Sequence, residues 1–305
     1  MSIDLPTTAI HADEGKPRQC FAMSVDVEDY LHTLTLAPVI QRDSWDLWPS
    51  RVEAATMRII DMFDQHQIRA TFFMLGWVAK KNPNLVREIA ARGHEVASRS
   101  FHHDRVHDLT PHAFREDARS VRLLLEDLSG CAVRGFRAPS FSIGEQCLWA
   151  YDQLIDAGYS YSSSVHPIHH GHFSRPAIPL QPFRPNDSDF LEIPVATVKL
   201  FGCILSCAGS AQFRLMPYRW SKWCLERLAT DLDRTVIFYF HPWEIDPDQP
   251  RLNGLSLRTC VQQYIGLAAM EKKLKRLVTD FHWDRIDRLC RLDEPNGTET
   301  KAVPS

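Results

Sequence analysis

The sequence lacks the features that mark several classes of protein. No apolar run approaches the roughly 20 residues that are needed to cross a bilayer. The first residues, MSIDLPTTAIHADEGKPRQ, have no basic start followed by an apolar stretch, so they do not resemble a secretory signal. The net charge of −3 gives no general attraction to nucleic acid or to an anionic membrane. We therefore expect a cytoplasmic protein that neither binds nucleic acid nor spans a membrane.

Paired cysteine motifs are also missing. The eight cysteines are scattered along the chain, and none belongs to a Cys-x-x-Cys pair. Without an export signal, reduced and mostly buried thiols are expected rather than disulfides. No internal repeat, low-complexity block or linker divides the 305 residues. One elaborated domain is therefore favoured over two.

Apolar residues recur in an order that predicts alternating strands and helices. Strands are expected at 20–25, 69–75, 94–98, 133–139 and 159–165, and helices at about 50–66, 83–92, 111–128 and 146–157. Ser50 and Glu53 are expected to form a capping box for the first helix. Later segments predict strands at 190–195 and 235–242, a helix at 217–229 and one long helix near 256–280. This α/β order indicates a parallel sheet, open or closed into a barrel.

Polar residues that suit catalysis follow several of these strands directly. They are Asp26, Glu28 and Asp29, then Arg99, His102 and His103, then Arg137, Pro139 and Ser140, then Ser162–Ser164, and finally His241. The carboxyl ends of strands in a parallel barrel meet on one face, where active sites form. Amide hydrolysis needs an activated water, a polarised carbonyl and a proton for the leaving amine. The sequence therefore predicts one site built from several strand ends.

Six segments, in this order over about residues 20–285, resemble the polysaccharide deacetylase superfamily, the NodB-homology domain. They are SVDVEDY, TFFMLGW, EVASRSFHH, RGFRAPSFS, YSSSV and FYFHPWE. HPWEIDPDQPR and the C-terminal region are similar to the extension of the deacetylases found in exopolysaccharide and exosortase loci. The resemblance implies a distorted (β/α) barrel at 19–250 with a helical extension at 251–290. The ends, 1–18 and 291–305, are expected to be disordered tails.

The resemblance also implies an activity and catalytic roles. The activity is metal-dependent hydrolysis, most often with zinc, of N-acetyl groups on a polysaccharide, an oligosaccharide or a precursor. Asp26 matches the catalytic base and Arg137 the arginine that orients it, while His241 matches the general acid. Backbone near Pro139 and Ser140 would stabilise the oxyanion.

The remaining predicted contacts are to the sugar and to the metal. Trp77 and Trp243 would line the sugar groove. The carboxylate ligand is either Glu28, which alternates to the same side of an extended chain as Asp26, or Asp29, which can instead cap the next segment.

Two positions depart from the family pattern. His103 matches the second histidine of a His-x-x-x-His metal motif, in which four-residue spacing on a helical turn places both imidazoles on one face. Arg99 stands at the first position, and a guanidinium offers no lone pair to a metal. His102 is the other candidate, although adjacent side chains point apart. Ser162 stands where relatives carry an aspartate. The loop residues His166, His169, His170 and His172 are interpreted as solvated.

Arg99 leaves three functions open. The first is a carbohydrate deacetylase with a modified metal site. The second is a carbohydrate-binding pseudoenzyme, and the third is an amide hydrolase of the same fold that needs no metal. Since the other predicted catalytic residues are present, the first is the leading hypothesis.

Overall fold

The computed structural model describes residues 21–167, 179–200, 203–206, 209–231 and 236–292. The expected tail at 1–18, nearly all of the tail at 291–305, and His169, His170 and His172 lie outside these residues.

The first half of the chain alternates strands with helices, as the apolar pattern predicts. The elements are β1 (Phe21–Val27), α1 (Val52–Gln65), β2 (Thr71–Met74), α2 (Gly76–Lys81), α3 (Pro83–Ala91), β3 (Glu95–Ser98), α4 (Pro111–Ser129), β4 (Gly135–Phe136), α5 (Trp149–Asp156) and β5 (Tyr161–Ser162). Thr110 caps α4 by accepting a hydrogen bond from the Ala113 N–H at 3.2 Å. Gly130 ends the same helix with a φ of +68°.

The second half continues with further strands and helices. They are β6 (Leu191–Glu192), β7 (Thr197–Leu200), β8 (Cys203–Ser206), α6 (Ser210–Leu215), α7 (Tyr218–Asp231), β9 (Val236–Phe240), α8 (Leu257–Tyr264), α9 (Leu267–Asp280), β10 (Trp283–Asp284) and α10 (Ile286–Leu289). The antiparallel hairpin of β7 and β8 and the strand β10 were not predicted. In the described part of the chain, no helix has the length and apolar character needed to cross a membrane.

The main sheet is parallel and curled into a half-barrel, which confirms the distorted (β/α) barrel. Its path runs from β1 through β2, β3, β4 and β5 to β6, and β9 and β10 also pair with β1. Alternate strand residues face opposite sides. Phe72 packs among the helices around the sheet, whereas its neighbour Phe73 packs inside the curl with Ala97 and Tyr161. The segment expected as a helical extension at 251–290 also supplies β10, so it contributes to the sheet itself.

Two local expectations were wrong. Helix α1 has no side-chain cap from Ser50. The Ser50 hydroxyl instead donates to Asp29 Oδ2 at 2.8 Å. This Asp29 oxygen also accepts hydrogen bonds from the backbone N–H groups of Arg51 and Val52. The helix expected near 256–280 is divided at Gly266, which has a φ of +82°, and a Cβ there would lie 2.8 Å from the Arg214 carbonyl oxygen.

Candidate active site

The carboxyl ends of four strands bring the main candidate residues together. Asp26 lies near the end of β1, Arg99 directly follows β3, Arg137 directly follows β4 and His241 directly follows β9. Parallel pairing of β1 with β9 and β2, of β2 with β3 and of β3 with β4 fixes this convergence. At the last of these pairs, the Arg137 N–H donates to the Ser98 carbonyl at 2.9 Å. The predicted grouping of these four side chains therefore exists in the structure.

Arg99 lies at the centre of the cluster and is buried. Its Nη1 donates to Asp26 Oδ2 at 2.7 Å, and its Nη2 lies 3.3 Å from His103 Nε2. Its Nε lies 3.7 Å from Glu28 Oε2. The guanidinium thus contacts the base, the carboxylate and the imidazole that the sequence assigns to a metal site.

Glu28 is held by two histidines. His103 Nε2 lies 2.8 Å from Glu28 Oε2, and His241 Nε2 lies 3.0 Å from Glu28 Oε1. The expected helical turn from Arg99 to His103 is absent, because residues 99–105 form no helix and His103 has a φ of +63°. This left-handed conformation is uncommon for residues other than glycine, and here it accompanies the contact between the His103 ring and Glu28.

Arg137 holds the second oxygen of Asp26. Its Nη1 donates to Asp26 Oδ1 at 2.7 Å and to the Ser24 hydroxyl at 2.9 Å. Its Nε donates to the Ser163 carbonyl at 3.1 Å, and its guanidinium carbon lies 4.0 Å from the centre of the Phe73 ring. Both Asp26 oxygens are therefore bonded to guanidinium groups.

Local charges set the protonation states of the cluster. Burial raises the pKa of Asp26, but Arg137 and Arg99 outweigh it and lower that pKa. Burial also raises the pKa of Glu28, yet His103 and Arg99 hold it well below its ordinary value. For His241, burial lowers the pKa, whereas hydrogen bonds to Glu244 and Glu28 raise it to about 10. The two carboxylates and His241 are therefore charged at neutral pH.

This donor set does not fit a divalent metal ion. A metal ligand must offer a lone pair, and the guanidinium of Arg99 offers only N–H groups to the space between Asp26, Glu28 and His103. In the described part of the chain, no group of three or more His, Cys, Asp or Glu side chains is arranged to hold a metal.

Asp29 and His102, the two other candidate ligands, have different contacts. The Asp29 carboxylate accepts hydrogen bonds from the Tyr30 N–H at 2.9 Å and from the start of α1. The His102 ring packs edge-on against Phe101 with centroids 4.5 Å apart. Among the described contacts, neither side chain bonds to the cluster around Arg99.

A cavity of about 420 Å³ opens over the cluster. Among the predicted substrate-binding residues, Ser140 and Trp243 line it, together with Glu28, Arg99 and His241. Pro139 is buried and Trp77 packs edge-on against His32 and Trp45, and neither lines this cavity. The loop residue His166 does line it. Asp26 and Arg137 do not line the cavity, and both are fully buried, so they lie beneath its floor.

Three further ionisable residues support the site and were not predicted: Glu244, Arg214 and Glu192. Glu244 Oε2 lies 3.1 Å from His241 Nδ1, and Glu244 Oε1 accepts from Arg214 Nε at 3.1 Å. The spacing His-x-x-Glu was the available clue to Glu244, whereas Arg214 lies in a segment without a clear pattern. Ser162, which replaces the family aspartate, donates to Glu192 at 2.6 Å. Burial raises the pKa of Glu192 to about 7.

Comparisons with known proteins agree with this architecture. Residues 44–160 match the model of the polysaccharide deacetylase family, and residues 163–291 match a domain of unknown function, DUF3473. The chain is 31% identical over 159 residues to a chitooligosaccharide deacetylase of Sinorhizobium fredii, covering 49% of this chain and 68% of the relative. It is 34% identical over 99 residues to a peptidoglycan-N-acetylglucosamine deacetylase of Bacillus cereus, covering 32% of this chain and 36% of that relative.

A solved structure shows the same fold. It is a Mycobacterium smegmatis protein classed with the polysaccharide deacetylases, and it superposes with a TM-score of 0.61 at 16% identity over 95% of this chain and 94% of the other. Strand order, the residues at the strand ends and the sequence relatives lead to one assignment. The chain belongs to the polysaccharide deacetylase family.

Proposed function

We propose that this chain is a carbohydrate-deacetylase homologue that binds N-acetylated glycan, and that Arg99 takes the place of the metal ion, so that metal-assisted hydrolysis is blocked. One observation carries the proposal. The Arg99 guanidinium bonds Asp26 and contacts His103, and it also lies 3.7 Å from Glu28. A positive charge already occupies the space between the groups that would bind a cation, and it would repel a second cation.

The state of Asp26 supports the same conclusion. A general base must reach the water whose proton it takes. Asp26 is fully buried and does not line the cavity. Each of its carboxylate oxygens accepts a hydrogen bond from a guanidinium nitrogen 2.7 Å away, Oδ2 from Arg99 and Oδ1 from Arg137. Two ion pairs also lower its pKa, which weakens it as a base.

The cavity supports glycan binding. Its lining includes the aromatic rings of Phe141, Tyr239 and Trp243 beside polar groups such as Ser140. Aromatic faces with a few polar groups are typical of ligand pockets and suit the apolar faces of sugar rings. The named relatives act on chitooligosaccharides and peptidoglycan. We infer an N-acetylglucosamine-containing polysaccharide or oligosaccharide as the ligand, and the resemblance to deacetylases of exopolysaccharide loci favours an exopolysaccharide or its precursor.

A second candidate is amide hydrolysis without a metal. Arg99 and His241 both line the cavity, so a guanidinium and an imidazolium face the bound ligand. A cation of this kind can polarise a carbonyl that water attacks, Glu28, which also lines the cavity, would accept the proton of that water, and the imidazolium would donate a proton to the amine as the C–N bond breaks. This route predicts acetate release by the wild type that a metal chelator does not change.

The deciding experiment replaces Arg99 by histidine. We expect wild-type protein to bind N-acetylglucosamine oligomers in calorimetry, to retain no zinc in elemental analysis and to release no acetate. Arg99→His restores the missing imidazole, so its zinc affinity should rise at least about 100-fold, and acetate release should appear. Arg105→His is the matched control, because Arg105 also lines the cavity but pairs with Asp108 at 2.9 Å.

Each other outcome has a distinct meaning. Stoichiometric zinc in the wild type would overturn the role given to Arg99. Chelator-resistant acetate release by the wild type would establish the metal-free hydrolase instead. Failure of the wild type to bind any oligomer would refute glycan binding.

A further inference from the structure

Two buried charges lie behind His241, on the side away from Glu28. Glu244 and Arg214 have relative exposures of 0% and 1%. Charged groups at such depth are stable only when they are paired and hydrogen-bonded. The contacts of these two residues therefore indicate what they hold in place.

Glu244 fixes the orientation of the His241 imidazole. Its Oε2 accepts the His241 backbone N–H at 3.1 Å and lies 3.1 Å from Nδ1. An ionised carboxylate only accepts hydrogen bonds, so Nδ1 must carry a proton. Nε2 is thereby directed to Glu28, 3.0 Å away at the cavity floor.

Arg214 joins Glu244 to the end of helix α8. Its Nε donates to Glu244 Oε1 at 3.1 Å, and its Nη1 donates to the carbonyls of Gln263 at 3.1 Å and Ile265 at 2.6 Å. Its Nη2 donates to the Gln262 carbonyl. The last carbonyls of a helix have no partner within the helix and attract a cation, so the end of α8 holds this guanidinium firmly.

Trp243 adds a packing contact to this arrangement. Its ring stacks on His241 with centroids 5.5 Å apart and planes 26° apart. The Arg214 guanidinium carbon lies 5.4 Å from the same ring. The imidazole is therefore held at Nδ1 by the Glu244 carboxylate at 3.1 Å and by the Ser210 hydroxyl at 3.3 Å, and on its face by the stacked ring.

We propose that Glu244 and Arg214 are positioning residues, through which the end of α8 holds the Nδ1 proton of His241 and fixes the direction of its ring. Both residues lie within 163–291, the part of the chain that matches the domain of unknown function. In this proposal, that domain supplies the residues that orient His241. The use of His241 toward a bound N-acetyl group rests on the proposed function, but the coupling of α8 to the imidazole does not.

The test follows the proton on His241 Nδ1 by NMR in protein labelled with ¹⁵N-histidine. Its resonance is assigned by its absence in His241→Gln. A proton held between Nδ1 and a buried carboxylate gives a downfield signal that exchanges slowly with water. We expect Glu244→Gln to shift this signal upfield, because the acceptor loses its charge.

Arg214→Met tests the coupling itself. It removes the guanidinium and keeps an apolar chain, and we expect the signal to be lost although Arg214 bonds to Glu244 rather than to the imidazole. Arg219→Met, on the exposed surface of α7, is the matched control and should leave the signal unchanged. Circular dichroism establishes which variants are folded, and Arg214→Lys provides a milder replacement, expected to shift the signal, if Arg214→Met does not fold.

An unchanged signal in a folded Arg214 variant would overturn the link to α8, and an unchanged signal in Glu244→Gln would overturn the assignment of Glu244. Because the measurement needs neither glycan binding nor hydrolysis, its outcome is independent of the proposed function.

Discussion

Carboxyl groups are buried at both ends of the parallel sheet, and Asp26 and Glu28 at one end differ in charge from Glu95 at the other. At the carboxyl ends of the strands, Asp26 and Glu28 bond to arginine and histidine side chains, and their pKa values are lowered. At the amino ends, Glu95 accepts hydrogen bonds from the Thr71 hydroxyl at 2.5 Å and the Tyr161 hydroxyl at 2.7 Å. Burial and the nearby Asp287 raise the Glu95 pKa to about 8.

This difference teaches that burial alone does not determine the charge of a carboxyl group. Burial raises the pKa at both ends, and only cations close enough to outweigh it keep the group ionised. Asp26 and Glu28 therefore form an ion-paired site, whereas Glu95 is a neutral, hydrogen-bonded group at neutral pH. A matched pair of substitutions can test this contrast directly.

The largest expected effect is the loss of stability in Asp26→Asn. Removing this charge leaves Arg99 and Arg137 buried without their shared anion, which should lower the free energy of unfolding by about 3–5 kcal/mol. Glu95→Gln keeps a neutral, hydrogen-bonded group and removes the need to protonate Glu95 on folding, so at pH 7 it should leave the free energy of unfolding unchanged or raise it. Urea unfolding at pH 7 measures both. Equal costs for the two variants would contradict the contrast.

The next effect is the part of the pH dependence of stability that comes from Glu95. The Glu95 pKa rises on folding from its ordinary 4.5 to about 8. Between those values the folded chain holds a proton that the unfolded chain has lost, so the free energy of unfolding falls as pH rises. The difference between wild type and Glu95→Gln should change by at most about 1.4 kcal/mol per pH unit in this range. Unfolding curves at several pH values measure it.

Asp26 and Glu28 should act with the opposite sign. Their pKa values are lowered on folding, so their contribution is present above the ordinary carboxyl pKa and is lost as pH falls through the folded values. If the free energy of unfolding varied with pH in the same way for wild type and Glu95→Gln from about pH 5 to pH 8, Glu95 would not be neutral in the folded chain.

The smallest expected effect concerns Asp29, which follows Glu28 in the chain but caps the start of α1. Asp29→Ala should lower the free energy of unfolding by about 1–2 kcal/mol through the lost cap. Combined with Arg99→His, it should leave zinc binding unchanged, whereas Glu28→Gln combined with Arg99→His should abolish it. Elemental analysis of the two double variants decides which carboxylate binds the metal.

Much of the fold could be predicted from local patterns. The strands before Asp26 and His241 are apolar runs, and α4 has a threonine cap, a proline at its first position and a glycine at its end. Each of these features acts within a few residues of the chain, so it can be recognised without knowledge of the tertiary structure.

What could not be predicted depends on contacts between distant segments. Asp29 binds the start of α1 about 22 residues later, which displaces the expected cap from Ser50. Arg99 is an evident departure in the sequence, but only the tertiary structure shows that it contacts Asp26, 73 residues away. Likewise, Arg214 reaches the end of α8 from 48 to 51 residues away. No local periodicity reports such contacts.

The pairing of β1 determines when the barrel can assemble. This first strand bonds along five residues to β9 and along two to β10, both from the last third of the described chain. During synthesis, β1 can pair with β2 early, but its pairing with β9 and β10 is delayed until residues 236–284 have left the ribosome. Contacts of such long sequence separation slow folding, and the waiting edge is prone to mispairing. The strand that carries Asp26 thus starts the sheet but is among the last to be completed.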